Sequence, residues 1–360
     1  MKLLAGTSKG LVILEKNKKG WEIASIYFEG LSISMCFIDD RTNTWWVAIS
    51  HRHWGEKLHT STNGGLTWNE VPIPSYANHA YRPGKPAALK KIWVMQQAGI
   101  DKPRCLWLGT EPGGLFFSND DGKSFQLNES LWNHPSRLNA NQWFGAGKDY
   151  PFIHSIAVDP RNSDHVYVGV SCAGIFKTTD SGKNWATRNK GLVAAYLPNP
   201  TSELGHDPHR IFICEKFPDV MWQQNHCGIF RSTDAGENWN EVSGKDGFPK
   251  YGFSLAIDHK NPDVAWVIPA HSDELRIPVD LALVVCKTED GGKNWKRITN
   301  GLPGKNVFDI VLRHSFAKES NTLAFGTNNG NVYVSDHNGE SWSLITHNLA
   351  TVNYITLAGA

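Results

Sequence analysis

The densest acid–base chemistry in the chain lies in His271-Ser272-Asp273-Glu274-Leu275-Arg276. A carboxylate beside an arginine can act as nucleophile, as general acid or as part of an anion clamp. Asp273 and Glu274 are adjacent, so on an extended loop they point apart and only one faces a given site. A second stretch, Trp222-Gln223-Gln224-Asn225-His226-Cys227-Gly228, crowds amides, an imidazole and a thiol where a hydrophobic strand should continue. Such a set suits a polyhydroxylated ligand or, equally, a hydrogen-bonded network that fills the fold. His51-Arg52-His53-Trp54 and Thr110-Glu111 add further imidazoles, a guanidinium and a carboxylate. The catalytic candidates are Glu274, Asp273 and Glu111, and Asp149 and Glu56 are further carboxylates able to oppose the first two. The ligand-binding candidates are His51, Arg52, Trp54, Trp222, Gln223, Gln224, Asn225, His226, His271 and Arg276. His51, His53, Cys172, His226, Cys227 and His271 carry imidazole and thiolate groups that bind metals, but no spacing among them is diagnostic. The metal stays unassigned, and no cofactor is expected.

These residues need a frame that gathers them, and a repeat supplies it. Six segments share one spacing: Ser61-x-Asn63-x-Gly65-x-x-Trp68, Ser118-x-Asp120-x-Gly122-x-x-Phe125, Thr178-x-Asp180-x-Gly182-x-x-Trp185, Ser232-x-Asp234-x-Gly236-x-x-Trp239, Thr288-x-Asp290-x-Gly292-x-x-Trp295 and Ser335-x-His337-x-Gly339-x-x-Trp342. The hydroxyl and carboxylate can bond backbone N–H groups of a tight turn. The glycine supplies a positive φ without steric cost, and the aromatic can plug the gap to a neighbouring unit. The motif glycines recur 57, 60, 54, 56 and 47 residues apart, near the period of a propeller blade. A seventh unit without its turn motif is expected at the N-terminus, where Gly10 precedes Trp21 by the same 11 residues that separate Gly174 from Trp185.

Within one unit, Ile153–Val158, Val166–Val170, Gly174–Thr178 and a strand opened by Trp185 read as four short strands with turns between them. They are named A to D from the axis outward. Inner strands are expected again from Phe253–Asp258 and from Phe308–Leu312. The chain starts on Met1–Thr7, which matches strand B, and ends on Val352–Ala358, which reads as the missing strand A. Pairing Leu3-Leu4-Ala5 with Tyr354-Ile355-Thr356 would seal the ring and remove two sheet edges. The expected fold is all-β: a seven-bladed β-propeller of four-stranded antiparallel blades, in one domain, residues 1–360.

In that topology the D–A and B–C connections share one face, and the turn motifs, being C–D turns, lie on the other. The long insertions all fall opposite the motifs: Pro72–Pro86, Asn128–Tyr150 and Lys190–Asp207 between blades, and the B–C loops that carry every candidate above except Asp149, which lies in Asn128–Tyr150. Loops that long in a compact repeat are usually functional. Trp54, Trp132, Trp143 and Trp222 on this face are expected to offer a stacking platform for sugar rings.

A formal net charge of +1 without a basic run argues against nucleic acid as the main partner. No apolar stretch is long enough for a membrane span. Met1-Lys2-Leu3-Leu4-Ala5 leads into strand pattern without a cleavable leader, so a cytoplasmic location is expected. Six scattered cysteines without a Cys-x-x-Cys pair fit that setting, with Cys36, Cys214 and Cys286 as buried small hydrophobes.

The six turn motifs resemble the Asp-box (BNR) repeat, and the whole chain looks like the bacterial Asp-box propellers that are described as sialidase-like or glycosyl-hydrolase-like. The combination Gln223-Gln224-Asn225-His226-Cys227-Gly228 with Ser272-Asp273-Glu274-x-Arg276 is similar to one subgroup of them. The resemblance implies a ligand-binding propeller that acts on glycans, with its site at the axial mouth opposite the boxes. It implies equally a non-catalytic scaffold for a polypeptide or small ligand. Sialidases carry an arginine triad and a Tyr/Glu nucleophile pair. Neither is assignable here, and Arg276-Ile277-Pro278 repeats a sialidase signature only in the sixth repeat, so sialidase activity is not expected.

Overall fold

Short strands rich in Val, Ile, Trp and Phe, each closed by a turn, cannot bury both faces alone and must stack radially. In the computed structural model, which describes residues 1–145 and 148–359, they do so as seven four-stranded antiparallel sheets. The inner strands of blades two to six are Ser32–Asp39, Lys91–Gln97, Ile153–Val158, Pro208–Ile213 and Gly252–Ile257. Strand A of blade one is Val352–Ala358, which pairs antiparallel with Lys2–Thr7 in the register Leu4 to Thr356, Ala5 to Ile355 and Gly6 to Tyr354. The ring therefore closes through the strand pair expected from the two ends of the sequence.

Strand B is buried on both sides: all of Val166–Val170 and all of Ala265–Pro269 are inside. Blades pack face to face, so these strands read as continuous apolar runs rather than alternations. One expectation fails. Strand A of blade seven is Phe316–Glu319, not Phe308–Leu312. The earlier segment is irregular chain that crosses between blades, with Ile310 and Val311 buried and Phe308 exposed, and its apolar spacing imitates a strand.

The motif turns show why they repeat. In blade five the Ser232 hydroxyl donates to Asp234 Oδ1 at 2.8 Å and accepts the Gly236 N–H at 2.9 Å. Asp234 Oδ1 also accepts the Asn238 N–H at 2.9 Å. Gly236 sits at φ +79, a region that costs any other residue strain. The motif tryptophan then ties blades together. Trp239 Nε1 donates to the Arg188 carbonyl of the preceding blade at 2.8 Å, and Trp295 does the same to Val242 at 2.8 Å. Among the described residues the motif turns of blades three to seven also bond the A–B turn of their own blade, as Ala235 N to Asp219 O at 2.8 Å and Gly291 N to Asp263 O at 3.0 Å, so both turn types share one face. Among the described residues, no helix is long and apolar enough to cross a membrane.

Candidate functional site

Propeller inner strands start on the mouth face, and here they start irregularly. Strand A of blades two to six carries a register shift spanning its second or third residue, at Ser34, Trp93, His154, His209 and Phe253. A bulge leaves one residue out of the ladder and re-aims its side chain. His209 stacks on Phe253 at 4.9 Å and 21°, so two of these re-aimed side chains meet between blades five and six.

Three ligand-type groups converge beside them. Asp207, the last residue of the Lys190–Asp207 connection, has its Oδ2 3.2 Å from His209 Nε2 and 3.6 Å from His226 Nδ1. Asp207 and His209 are fully buried, while His226, on the B–C turn of blade five, is partly exposed. The other His226 nitrogen faces Asp273 Oδ2 at 3.5 Å. Ser171 donates its hydroxyl to Asp207 Oδ1 at 2.8 Å, and His209 Nδ1 lies 2.6 Å from the Gly252 carbonyl. Around this chain stand Tyr251, edge-on to His226 at 5.5 Å, and two arginines over Phe253, Arg313 at 5.2 Å and Arg276 at 5.5 Å. The mouth edge of blades five and six thus combines carboxylates, imidazoles, guanidinium groups and aromatic rings.

Burial acts on these charges in opposite directions. It pushes the Asp207 carboxyl up, but the surrounding His209, His226 and Arg313 outweigh it and hold the group well below the carboxylate range. Burial lowers His209, with Arg313 adding to the effect and Asp207 opposing it. Burial likewise lowers Arg313, partly offset by Asp207, and drives His154 and His314 well below the histidine range.

The sequence candidates divide. His226, Asp273 and Arg276 stand together, with Arg276 Nε donating to the Asp273 carbonyl at 3.1 Å. Glu274 is exposed and makes no hydrogen bond or ion pair among the described residues, as adjacency on an extended loop requires of one member of the pair. His271 is exposed too, and among the described residues only its backbone N–H is engaged, by the Ile277 carbonyl. His51 spends Nδ1 on the N–H groups of His53 and Trp54, 3.2 Å each, and Arg52 and Trp54 project into solvent. Glu111 is buried under Trp93 Nε1 at 3.3 Å and Lys148 Nζ at 3.5 Å.

The amides of blade five build the strand. Gln224 Nε2 donates to the carbonyls of Asn225, Gly228 and Lys250, and Asn225 Nδ2 donates to Gln223 Oε1 at 3.1 Å. Gln223, Gln224 and Asn225 are all fully buried. Trp222 is a correction. It is 0 % exposed, donates Nε1–H to the Pro262 carbonyl and packs edge-on to Trp295, so no ligand reaches it. Trp132 and Trp143 are buried as well, Trp132 beneath Arg137 at 3.3 Å and Trp143 bonded to Ser136, which leaves Trp54 as the exposed member of the expected platform. Positions 146–147 of the Asn128–Tyr150 connection lie outside the described residues. The metal candidates separate in the same way: of the six, His226 joins the cluster, and its companions are Asp207 and His209. The sequence signal that could have found those two is Asp-Pro-His at the head of an inner strand, with polar groups on an otherwise apolar face.

A cavity of about 450 Å³ belongs to the other end of the axis. It is lined by inner-strand residues from Arg210 and Tyr354 down to Asp40, Pro160, Glu215, His259 and Glu319 at the A–B turns. Arg210 meets His314 at 2.6 Å and His314 stacks on Tyr354 at 4.6 Å and 6°, a polar plug between that cavity and the mouth residues.

No family model matches the chain. It is 24 % identical over 222 residues to an oligoxyloglucan-reducing end-specific xyloglucanase of Emericella nidulans, covering 54 % of this chain and 25 % of that protein. The chain thus spans about a quarter of the length of the curated relatives it matches. Among solved structures, a GH74 xyloglucanase from Xanthomonas campestris superposes with a TM-score of 0.63 at 15 % identity, over 95 % of this chain and 52 % of that one. YCF48 from Cyanidioschyzon merolae superposes with a TM-score of 0.59 at 16 % identity, over 93 % and 90 % of the two chains. These structural likenesses concern the fold.

Proposed function

We propose that this chain is a glycan-acting, glycoside hydrolase-like propeller of the Asp-box kind, with its site on the mouth face between blades five and six. The observation that carries the reading is the convergence of Asp273, His226, Arg276 and Arg313 around Tyr251 and Phe253. Aromatic faces suit the apolar faces of sugars, and guanidinium groups orient hydroxyls or carboxylates. The similarity to xyloglucanases supports a carbohydrate as the ligand class. Asp273, about half exposed, is the carboxylate that solvent and ligand reach, and His226 behind it can pass or hold its proton. The test is turnover of a panel of aryl glycosides and xyloglucan oligosaccharides by wild type, Asp273→Asn and Glu274→Gln. Loss of roughly 10²–10⁴-fold in Asp273→Asn with Glu274→Gln unaffected is expected. A panel that wild type does not turn over rejects the enzyme.

A second reading, a non-catalytic scaffold, is favoured by the seclusion of Asp207. A carboxylate 2 % exposed cannot meet a substrate directly, which leaves the cluster one accessible acid where hydrolysis uses two. Retained oligosaccharide or peptide binding without turnover selects this reading.

A further inference from the structure

We propose that Asp207, His209 and His226 form a mononuclear site for a divalent first-row transition ion, zinc above all. The inference stands apart from the glycan reading, because it is read by metal content rather than by turnover.

The geometry comes first. One ligand atom from each residue lies within 4.8 Å of the others. The two measured approaches to Asp207 Oδ2, 3.2 Å from His209 and 3.6 Å from His226, bracket the separation of roughly 3.4 Å between tetrahedral ligands placed 2.0–2.1 Å from zinc. Two imidazole nitrogens and one carboxylate oxygen suit zinc and its neighbours in the series rather than calcium or magnesium.

The hydrogen bonds behind the ligands carry the argument further. The Gly252 carbonyl can only accept, so His209 Nδ1, 2.6 Å away, bears the proton. Its Nε2 then faces a carboxylate oxygen at 3.2 Å, a place that a proton or a metal ion fills. His226 repeats the arrangement. Asp273 Oδ2 stands at its Nε2, which turns the Nδ1 lone pair toward the same Asp207 oxygen. Ser171 occupies Asp207 Oδ1 from behind and leaves Oδ2 directed inward. Three ligand-type atoms therefore converge on one point, which a metal ion can occupy by displacing a proton. Backing of each metal-binding imidazole by a carbonyl or carboxylate is the pattern that fixes tautomers in metal sites. Asp207 and His209 are buried and His226 is the partly exposed member, so the ion enters past His226. Its remaining positions open beside Asp273 and Tyr251, where water or an oxygen of a ligand would complete the shell.

The experiment uses untagged full-length protein, stripped with a chelator and titrated with zinc chloride at neutral pH by calorimetry. The expected result is one equivalent bound per chain. Asp273→Ala should weaken binding by roughly 10–100-fold, the scale for removing a backing group. His226→Gln, at a partly exposed position, should abolish the signal while the stripped protein melts as wild type does. Anomalous scattering at the zinc edge from wild-type crystals should place the ion between the three side chains, independently of any variant. Two results overturn the proposal: no binding by wild type, which leaves a plain hydrogen-bonded Asp–His–His chain, or binding that survives His226→Gln and disappears in His51→Gln/His53→Gln.

Discussion

On one face of the ring, Thr178, Asp180 and Gly182 in blade four repeat, bond for bond, what Ser232, Asp234 and Gly236 do in blade five. On the other face blades three to six present Trp93, His154, His209 and Phe253 at equivalent bulges, an indole, two imidazoles and a phenyl ring. The first face spends its polar groups on its own backbone within a few residues. The second gathers side chains from different blades, buries several of them and leaves them dependent on one another. Repetition marks what six of the blades share in folding, and departure from repetition marks what the molecule needs only once.

That contrast can be broken at several points. The largest effect is expected from removing Val352–Ala358. Blade one would lose its inner strand and the ring its closure, and a cooperative melting transition should vanish. A truncated chain that melts as wild type does would mean the closure is dispensable. Next is Trp222→Ala, which empties a fully buried site between blades five and six and should cost about 3–5 kcal/mol by denaturant titration. If stability stays within 0.5 kcal/mol, roughly the range of a surface change, Trp222 is not core. Asp234→Ala should cost about 1 kcal/mol, the scale for a lost backbone cap, without changing ligand binding at the mouth.

A pH titration sharpens the local character of the turns. The Asn184 side chain first, then its backbone N–H and the Thr178 hydroxyl, hold Asp180 down at about 2. A folded pKa below the unfolded value of about 3.9 stabilises above that unfolded value, and the contribution fades as pH falls through the folded one. The melting-temperature gap between wild type and Asp180→Ala should therefore be constant between pH 7 and pH 5, roughly one unit above that unfolded value, and close toward pH 2. A gap that narrows already near pH 6, where histidines titrate, would tie the turn to the mouth instead.

The same contrast governs how much was legible in the sequence. The box turns, the strand order and the paired termini are local or periodic features, and the seven blades followed from them. Phe308–Leu312 misled because an apolar crossing segment and a strand share a period. The mouth was legible only in part. His226, Asp273 and Arg276 stood out as polar residues in B–C loops, but their partners Asp207 and His209 come from the head of an inner strand and Arg313 from irregular chain ahead of another. A bulge there displaces the alternation by one residue, and no pattern in a single sequence reports which side chain it turns inward. Trp222 and Gln224 illustrate the converse: loop-like composition inside a strand whose backbone neighbours had already claimed the amide.

The most direct test sets one residue of each face against the other, with melting temperature and binding of a xyloglucan oligosaccharide measured on the same samples. Asp273→Asn should leave the melting temperature of wild type and abolish binding, because Asp273 is half exposed and faces His226 at 3.5 Å. Asp234→Ala should lower the melting temperature and leave binding intact. The reverse pairing, binding lost with Asp234 and kept without Asp273, would contradict the assignment of function to the mouth face.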